Sequence, residues 1–439
     1  VQPDMGRPPP QTKERRLRCP AIRGAELDHA RLLLLAWPAE RRVPLPVTPR
    51  PPEVLGEMRL LLLAGEFPPF KGGIAQVASN LTRVLGDRGH RVTVVTPFMK
   101  GGNGQPFRGH VDIRRFPFCR VRGIRMLPTL PYVLRHAATK PVDVCVADRC
   151  TRTGVLAYMN RRVNGTPYVT FAYGTEFLRY APGSLGDRWV CRIIRDSEGV
   201  IAISSFTRSA LVERGVSEAK ITVMSPGLNL PVPSAVLPAE AARRRLGLAG
   251  DPVLLSVSRL VPHKGHDTVL RSLPPLVRRW PELRYVIVGR GRHEADLRRL
   301  AAQLGVAQHV HFAGFVDDDE LSVYCSACDL FVMPSREEQG SVEGFGISFL
   351  EAAAHGRPAI GGRGTGAEDA IADGVTGILV DPYSAEAVTE GIAKLLGDEP
   401  LRKQMGVAAR ARVESDFSWE RAVATVERVL MEAATVGRP

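Results

Sequence analysis

Two carboxylates stand with seven residues between them around a glycine turn. Glu343 and Glu351 belong to the stretch Ser341-Val342-Glu343-Gly344-Phe345-Gly346-Ile347-Ser348-Phe349-Leu350-Glu351-Ala352-Ala353-Ala354. Gly344 and Gly346 favour a tight turn whose backbone can approach a ligand closely. From Ile347 onward the apolar, alanine-rich pattern predicts the start of a buried helix. Such a start offers free N–H groups and the positive end of a dipole, a natural seat for an anion. Two acids beside it would repel a bare phosphate. They fit a ligand that carries phosphate and hydroxyls together, because carboxylates accept hydrogen bonds from sugar OH groups. A nucleotide-sugar has both. Cations come from a second stretch, Pro252-Val253-Leu254-Leu255-Ser256-Val257-Ser258-Arg259, an apolar strand ending in Ser-Arg with Lys264 five residues later. In open α/β sheets ligands gather at the carboxyl ends of strands. There Arg259 as a fork and Lys264 as a point charge suit a diphosphate; a structural ion pair is the other use of such cations.

Repeated strand–helix units must position these groups. An apolar strand over Arg59 to Ala64 runs into Gly65-Glu66-Phe67-Pro68-Pro69-Phe70-Lys71-Gly72-Gly73-Ile74-Ala75, followed by a helix to about Leu85. This is a Rossmann-like opening, in which Gly72 and Gly73 let the backbone approach a phosphate. Strands are expected over 142–147 and 168–171, the second leading to Tyr173-Gly174-Thr175-Glu176. The proline-rich segment 230–238 separates an N-terminal domain, 58–232, from a C-terminal one, 233–415, with a closing helix in 416–439. Tyr285 to Gly291 reads as strand and turn, but Glu294 breaks the dinucleotide fingerprint. Asp317-Asp318-Asp319 is expected to cap a helix over 320–327 rather than bind metal. Cys325 and Cys328 are expected on one face of that helix as core residues, and His263 and His266 as loop residues rather than catalysts.

From Glu343 to Glu351, with Glu-Gly-Phe-Gly at its head and Glu-Ala-Ala-Ala-His-Gly-Arg-Pro-Ala-Ile after it, the segment resembles the signature of the large retaining glycosyltransferase family with the GT-B fold. It looks closest to bacterial members that transfer mannose to phosphatidylinositol. Ser258-Arg259-Leu260 with Lys264-Gly265, the Gly72-Gly73 opening and Ala202-Ile203-Ser204-Ser205 extend the resemblance over about 58–435. It implies an α/β architecture of two Rossmann-like domains facing a cleft, with the C-terminal helix crossing back near Asp416-Phe417-Ser418-Trp419. It implies that Glu343 holds donor-sugar hydroxyls and Glu351 the ribose, that Gly344, Phe345, Gly346 and Ile347 orient the sugar, and that the Gly72-Gly73 loop lies beside the donor diphosphate and the acceptor. Gly291 and Val316 would line the donor site, with the backbone at Val316 reading the base edge. Tyr173 stands where many relatives carry a His that bonds the donor sugar; Tyr donates a hydrogen bond but does not titrate near neutrality. The implied reaction moves a hexose, mannose from GDP-mannose being favoured over UDP-glucose or UDP-N-acetylglucosamine. The acceptor would be a lipid, glycan or small molecule, the configuration would be retained, and neither metal nor cofactor would be needed. Catalysis would rest on Glu343, Arg259 and Lys264.

Composition bounds the rest. The chain has 439 residues, 44% hydrophobic, with a net charge of +13, enough for two or three domains with cores. Residues 1–57, rich in Pro and Arg, read as a disordered tail or a non-native extension. No apolar run approaches the 18 or so residues of a membrane span, no secretory signal is evident, and seven Cys without framework spacing fit a reducing cytosol. Residues 101–140 hold eight Lys/Arg and one acid, either a solvated face or a rest for anionic headgroups at the inner side of the membrane. No nucleic-acid module accompanies the charge. Competing classes are a nucleotide-sugar epimerase, which shares the architecture but lacks Glu-Gly-Phe-Gly, a glycoside hydrolase, which would not need Arg259 and Lys264, and a non-catalytic nucleotide-sugar binder.

Overall fold

A computed structural model describes residues 56–70, 72–98, 107–117, 126–230 and 236–436. Nearly all of the tail 1–57 lies outside the described residues, as do positions 231–235 of the expected linker and Arg120, Arg122 and Arg125 of the basic window.

Short apolar runs bounded by glycine, proline or polar residues form the strands. A first sheet contains β1 (Arg59–Leu63), β2 (Arg91–Pro97), β3 (Val111–Phe116), β4 (Val144–Ala147), β5 (Tyr168–Ala172), β6 (Gly199–Ala202) and β7 (Ile221–Val223), all parallel, in the order β3-β2-β1-β4-β5-β6-β7. A second contains β8 (Val253–Val257), β9 (Arg284–Val288), β10 (Val310–Gly314), β11 (Leu330–Met333), β12 (Ala359–Gly362) and β13 (Gly377–Val380), also parallel, in the order β10-β9-β8-β11-β12-β13. Leu60 to Leu63 and Leu330 to Met333 are buried along their whole length, as strands covered by helices on both faces must be.

Each sheet reverses its direction of growth once. After β3 the chain returns to place β4 on the far side of β1, and after β10 it places β11 on the far side of β8. The crevice outside the carboxyl ends of strands at such a reversal is where open α/β sheets bind ligands. In the first sheet the reversal brings Gly65 and Glu66 beside Asp148 and Arg149, and the Gly65 N–H donates to Asp148 Oδ2 at 2.7 Å. In the second it brings Ser258 and Arg259 to the side of Ser335 and Arg336.

The last helix, Trp419–Val436, carries Trp419, Val423, Val426 and Leu430 on one buried stripe, the spacing of a helix face that meets a core. They share one apolar cluster with Leu60 and Leu81 of the first lobe and with Leu255 and Phe331 of the second. The crossing is tight. Leu228 N–H donates to the Phe417 carbonyl at 2.8 Å, and a Cβ on Gly227 would sit 2.3 Å from Trp419 N. Glu427 then bonds His90 Nε2 at 2.7 Å and pairs with Arg88. The expected return of this helix to the first lobe is therefore met.

Three local readings are refined. The helix expected over 320–327 starts at Asp318, because Asp317 is its cap and accepts the Glu320 N–H at 2.9 Å. Cys328 lies one residue past that helix, not on its face; it is buried like Cys325, and its thiol donates to the Cys325 carbonyl at 3.4 Å. His266 is not a loop residue but the buried first residue of the helix His266–Arg279. Among the described residues no helix is long and apolar enough to cross a membrane.

Candidate active site

The second lobe contributes a basic turn. β8 exits through Ser258 to Arg259, which is exposed and makes no ion pair among the described residues. A 3-10 turn over Pro262–Lys264 follows and ends on Gly265, whose φ is +74°. A Cβ there would lie 2.1 Å from the Pro334 carbonyl, so only glycine lets the turn close on β11. Lys264 Nζ pairs with Glu343 Oε2, the two side chains 12% and 11% exposed. Burial alone would raise the Glu343 carboxyl, but the charge and hydrogen bond of Lys264 outweigh it and hold it below the usual carboxylate range.

A buried polar network braces this turn from behind. His266 Nε2 bonds Ser258 Oγ at 2.8 Å and its Nδ1 bonds the Tyr285 hydroxyl at 3.0 Å; Tyr285 in turn bonds Ser256 Oγ at 2.8 Å. Ser258 Oγ donates to the Arg259 carbonyl at 3.1 Å. Burial, then the charge of Lys264, pushes His266 down to about 3 and His263 down to about 4. Both rings are neutral at working pH, and His266 acts as a hydrogen-bonding strut, not an acid or base.

The loop carrying Glu343 is clamped at both ends. Arg336 forks onto Asp267, with Nη1–Oδ1 and Nη2–Oδ2 both at 3.0 Å, and also pairs with Glu338. Farther on, the Val342 N–H and carbonyl both bond Thr175 Oγ1 of the first lobe, at 3.1 and 3.0 Å. A Cβ on Gly344 would meet the Tyr173 carbonyl at 2.5 Å, and one on Gly366 would meet the Gly344 carbonyl at 1.9 Å. The glycines expected to let backbone approach a ligand thus also let the two lobes interlock. Gly346, at φ +89°, turns the chain into the helix Ile347–Ala354, whose first N–H groups receive no side-chain cap. Glu351 is partly buried on that helix. Burial, with Asp318 as a lesser cause, pushes it up to about 7. Phe345 is buried and packs edge-on against Phe417, ring centres 5.8 Å apart.

The first lobe supplies the opposite wall. The helix Gly73–Asp87 begins at the Gly72-Gly73 turn, where a Cβ on Gly73 would be 3.6 Å from Ile347 Cδ1. The two helix starts, one from each lobe, therefore face each other. Tyr173 stacks on Phe171 with ring centres 6.3 Å apart. Its N–H donates to Glu176 Oε1 at 2.5 Å, and its hydroxyl is buried with no partner among the described residues. Burial, then the charge of Asp148, holds the phenol well above its ordinary range, so it stays a donor. Gly291 lies against the basic turn, its Cβ position 2.1 Å from the Leu260 carbonyl, and Val316 is partly buried against the core after β10. Arg259, Lys264, Glu343, Gly344, Gly346 and Ile347 thus gather on one side of the cleft, with Gly72, Gly73 and Tyr173 across it.

Sequence reasoning missed the pair Glu66 and Arg149, whose Oε1 and Nη2 are 2.5 Å apart, and the buried acids beside it. Asp148 accepts from Gly65 N and Thr153 Oγ1, each at 2.7 Å, and Glu176 accepts from Tyr173 N; burial raises both carboxyls. Their one sequence signal is that each follows a strand end, which does not reveal that β1 and β4 are neighbours.

Comparison with known proteins places this arrangement. Residues 239–412 match the family model "Glycosyl transferases group 1", and residues 71–231 match "Glycosyltransferase Family 4". A GDP-mannose-dependent alpha-(1-6)-phosphatidylinositol monomannoside mannosyltransferase of Mycobacterium tuberculosis is 33% identical over 374 residues, 82% of this chain and 95% of the relative. The monoacylated-substrate counterpart of Corynebacterium glutamicum is 39% identical over 183 residues, 41% of this chain and 47% of that one. Among solved structures, sucrose-phosphate synthase of Thermosynechococcus elongatus superposes with a TM-score of 0.73 at 22% identity, covering 86% of this chain and all of the other. Anabaena HepE with UDP and glucose gives 0.70 at 20% identity, covering 85% and 99%. These structures share the two-lobed GT-B fold. With a relative one-third identical over nearly its whole length and both lobes matched by glycosyltransferase models, the chain belongs to the group 1 glycosyltransferase family and is a nucleotide-sugar-dependent transferase.

Proposed function

We propose that this enzyme moves mannose from GDP-mannose to a hydroxyl of a lipid-linked or glycan acceptor, with retention at the anomeric carbon. The observation that carries the reading is the meeting of Glu343 and Lys264 at the mouth of the helix Ile347–Ala354, opposite the Gly72-Gly73 turn. A nucleotide-sugar laid there would put its diphosphate near Arg259, Lys264 and the uncapped N–H groups. Its sugar would lie against Glu343 and the Gly344–Ile347 backbone, and its ribose against Glu351. Val316, Gly291 and Tyr173 complete the donor set. As the bond from the anomeric carbon to the phosphate breaks, the electron pair goes to the diphosphate, and prearranged cations and N–H groups stabilise that charge. The acceptor oxygen attacks from the same face and its proton passes to a leaving-phosphate oxygen. In this scheme the charge is met without metal. The donor base and sugar follow the curated relatives, as does the acceptor class, phosphatidylinositol monomannoside being the first to try. Release of nucleotide from GDP-mannose, UDP-glucose and UDP-N-acetylglucosamine, with that lipid present, tests the reading. GDP-mannose is expected to exceed the others by at least about tenfold, about 1.4 kcal/mol; preference for a UDP-sugar overturns it.

We further propose that the enzyme works at the cytoplasmic membrane surface, resting on its basic window. Arg108, Arg114, Arg135 and Lys140 are exposed there, although Arg114 is engaged by Asp112 at 2.8 Å.

The raised carboxyl of Glu351 makes donor binding depend on pH. Two ribose hydroxyls donate to the ionised form. The free protein favours the protonated form below about 7, so binding there includes the work of removing a proton. Affinity for GDP-mannose is expected to rise about fivefold from pH 6 to 7 and by a further twofold or so above, then to level off. Calorimetry across that range should show the slope, and Glu351→Gln should flatten it.

A further inference from the structure

The first lobe carries a charged groove that the donor reading leaves without a task. Along β1 the side chains alternate between two faces. Leu60 and Leu62 share a cluster with Val423 and Val426 of the closing helix, whereas Leu61 and Leu63 share one with Leu156 and Ile193. Ile193 belongs to the helix Leu185–Asp196, which therefore covers the face away from the closing helix. This helix and the turn after the helix Ser205–Glu213 enclose a groove of about 470 Å³, room for a small ligand. Four arginines line it, Arg188, Arg192, Arg195 and Arg214, with two acids, Asp187 and Asp196. Both acids are already engaged. Asp187 pairs with Arg214 and accepts the Gly183 N–H at 2.8 Å, and Asp196 pairs with Arg162 at 2.8 Å. Arg188, Arg192 and Arg195 are exposed and make no ion pair among the described residues.

Their spacing of four and then three residues sets these arginines on one side of the helix, where like charges destabilise one another. The surroundings hold them there. Arg192 lies over the Tyr158 ring at 6.0 Å, a ring that also takes Arg162 at 5.1 Å. Arg195 Nη2 is 3.5 Å from the Arg214 carbonyl. Arg214, its side chain 12% exposed, is fixed by Asp187 and by the Tyr180 carbonyl at 3.1 Å. The negative end of the helix does not need these cations, because Lys220 donates to the Arg195 and Ser197 carbonyls at 2.7 and 2.9 Å. Three guanidiniums without a counter-charge, gathered on a concave surface, make a seat for an anion. We infer that this groove binds a small molecule bearing two neighbouring phosphoryl groups, at a site separate from the donor cleft. Guanidinium forks match phosphate oxygens. From Arg188 to Arg195 the helix rises about 10 Å, so two phosphoryl groups, not one, bring all three arginines into use.

The test uses the full chain saturated with GDP, so that the cations of the cleft are occupied, and inorganic pyrophosphate as probe. Calorimetry is expected to show one pyrophosphate bound per chain. Combining Arg192→Gln with Arg195→Gln should raise its dissociation constant at least about tenfold, as the loss of one charge-assisted hydrogen bond does. Arg188→Gln is a second variant, read in the same direction. Arg278→Gln, which removes an exposed arginine of the second lobe, should leave the affinity unchanged. Without pyrophosphate, turnover and the unfolding midpoint of the double variant should match those of the unsubstituted chain. No binding to the GDP-saturated chain overturns the proposal. So does equal weakening by Arg278→Gln, which would mean attraction by net charge alone. Phosphatidylcholine vesicles with and without phosphatidic acid form the second arm, since a lipid headgroup offers the same phosphoryl chemistry. Vesicle binding is expected to be the same in the double variant; its loss would assign the groove to headgroups and overturn the small-molecule reading.

Discussion

Glu343→Gln is expected to lower turnover of GDP-mannose by at least about 100-fold while GDP affinity changes by no more than a few-fold. Removing one well-placed polar group from a transition-state site costs about 3–4 kcal/mol, and in the proposed donor pose this group meets the sugar, not the nucleotide. The free protein adds a second reason for the asymmetry. Glu343 is the partner of Lys264, and in the proposed pose that cation serves the diphosphate when the donor arrives. Without the carboxylate, Lys264 is freer to turn to phosphate, which offsets what nucleotide binding might lose. Steady-state kinetics and calorimetry with GDP separate the two quantities. Unchanged turnover would remove Glu343 from the mechanism; a parallel collapse of GDP affinity would place it on the nucleotide instead.

The legible parts of this site are the ones built from consecutive residues. Glu343, the glycines around Phe345 and Glu351 form a single turn and helix start, so their spacing alone described most of their geometry. Arg259 and Lys264 were legible for the same reason, being the exit of one strand. What sequence order hides is which exits become neighbours. Lys264 and Glu343 are 79 residues apart and meet only because β11 lies beside β8. Glu66 and Arg149 meet because the first sheet reverses at β1 and β4. His266 read as a loop residue, since His-Asp after Lys-Gly gives no apolar signal. It is buried because Tyr285 on β9 and Ser258 after β8 satisfy both ring nitrogens. Tyr173 was marked by its departure from the expected His, but that its hydroxyl is enclosed beside Asp148 and Arg149 depends on packing that no local pattern encodes.

Lys264→Met is expected to abolish most activity, and the reason can be divided by a second substitution. On the proposed pose the single change removes a cation from the leaving diphosphate, and it also strands Glu343. Stranding one member of a buried pair destabilises by about 3–5 kcal/mol, so the midpoint of thermal unfolding should fall. Adding Glu343→Gln removes the stranded charge, and the midpoint should recover most of its loss. Turnover should not recover, because neither the diphosphate cation nor the sugar carboxylate returns. Arg259→Ala gives the contrasting case. Arg259 is exposed and unpaired among the described residues, so its loss should leave the unfolding midpoint nearly unchanged. It should nonetheless weaken GDP binding by about tenfold or more, the worth of a charge-assisted hydrogen bond of about 1.5–3 kcal/mol. Melting curves and GDP titrations on the three proteins decide the matter. If the double substitution restored turnover along with stability, Lys264 would be a structural partner of Glu343 and not a phosphate ligand.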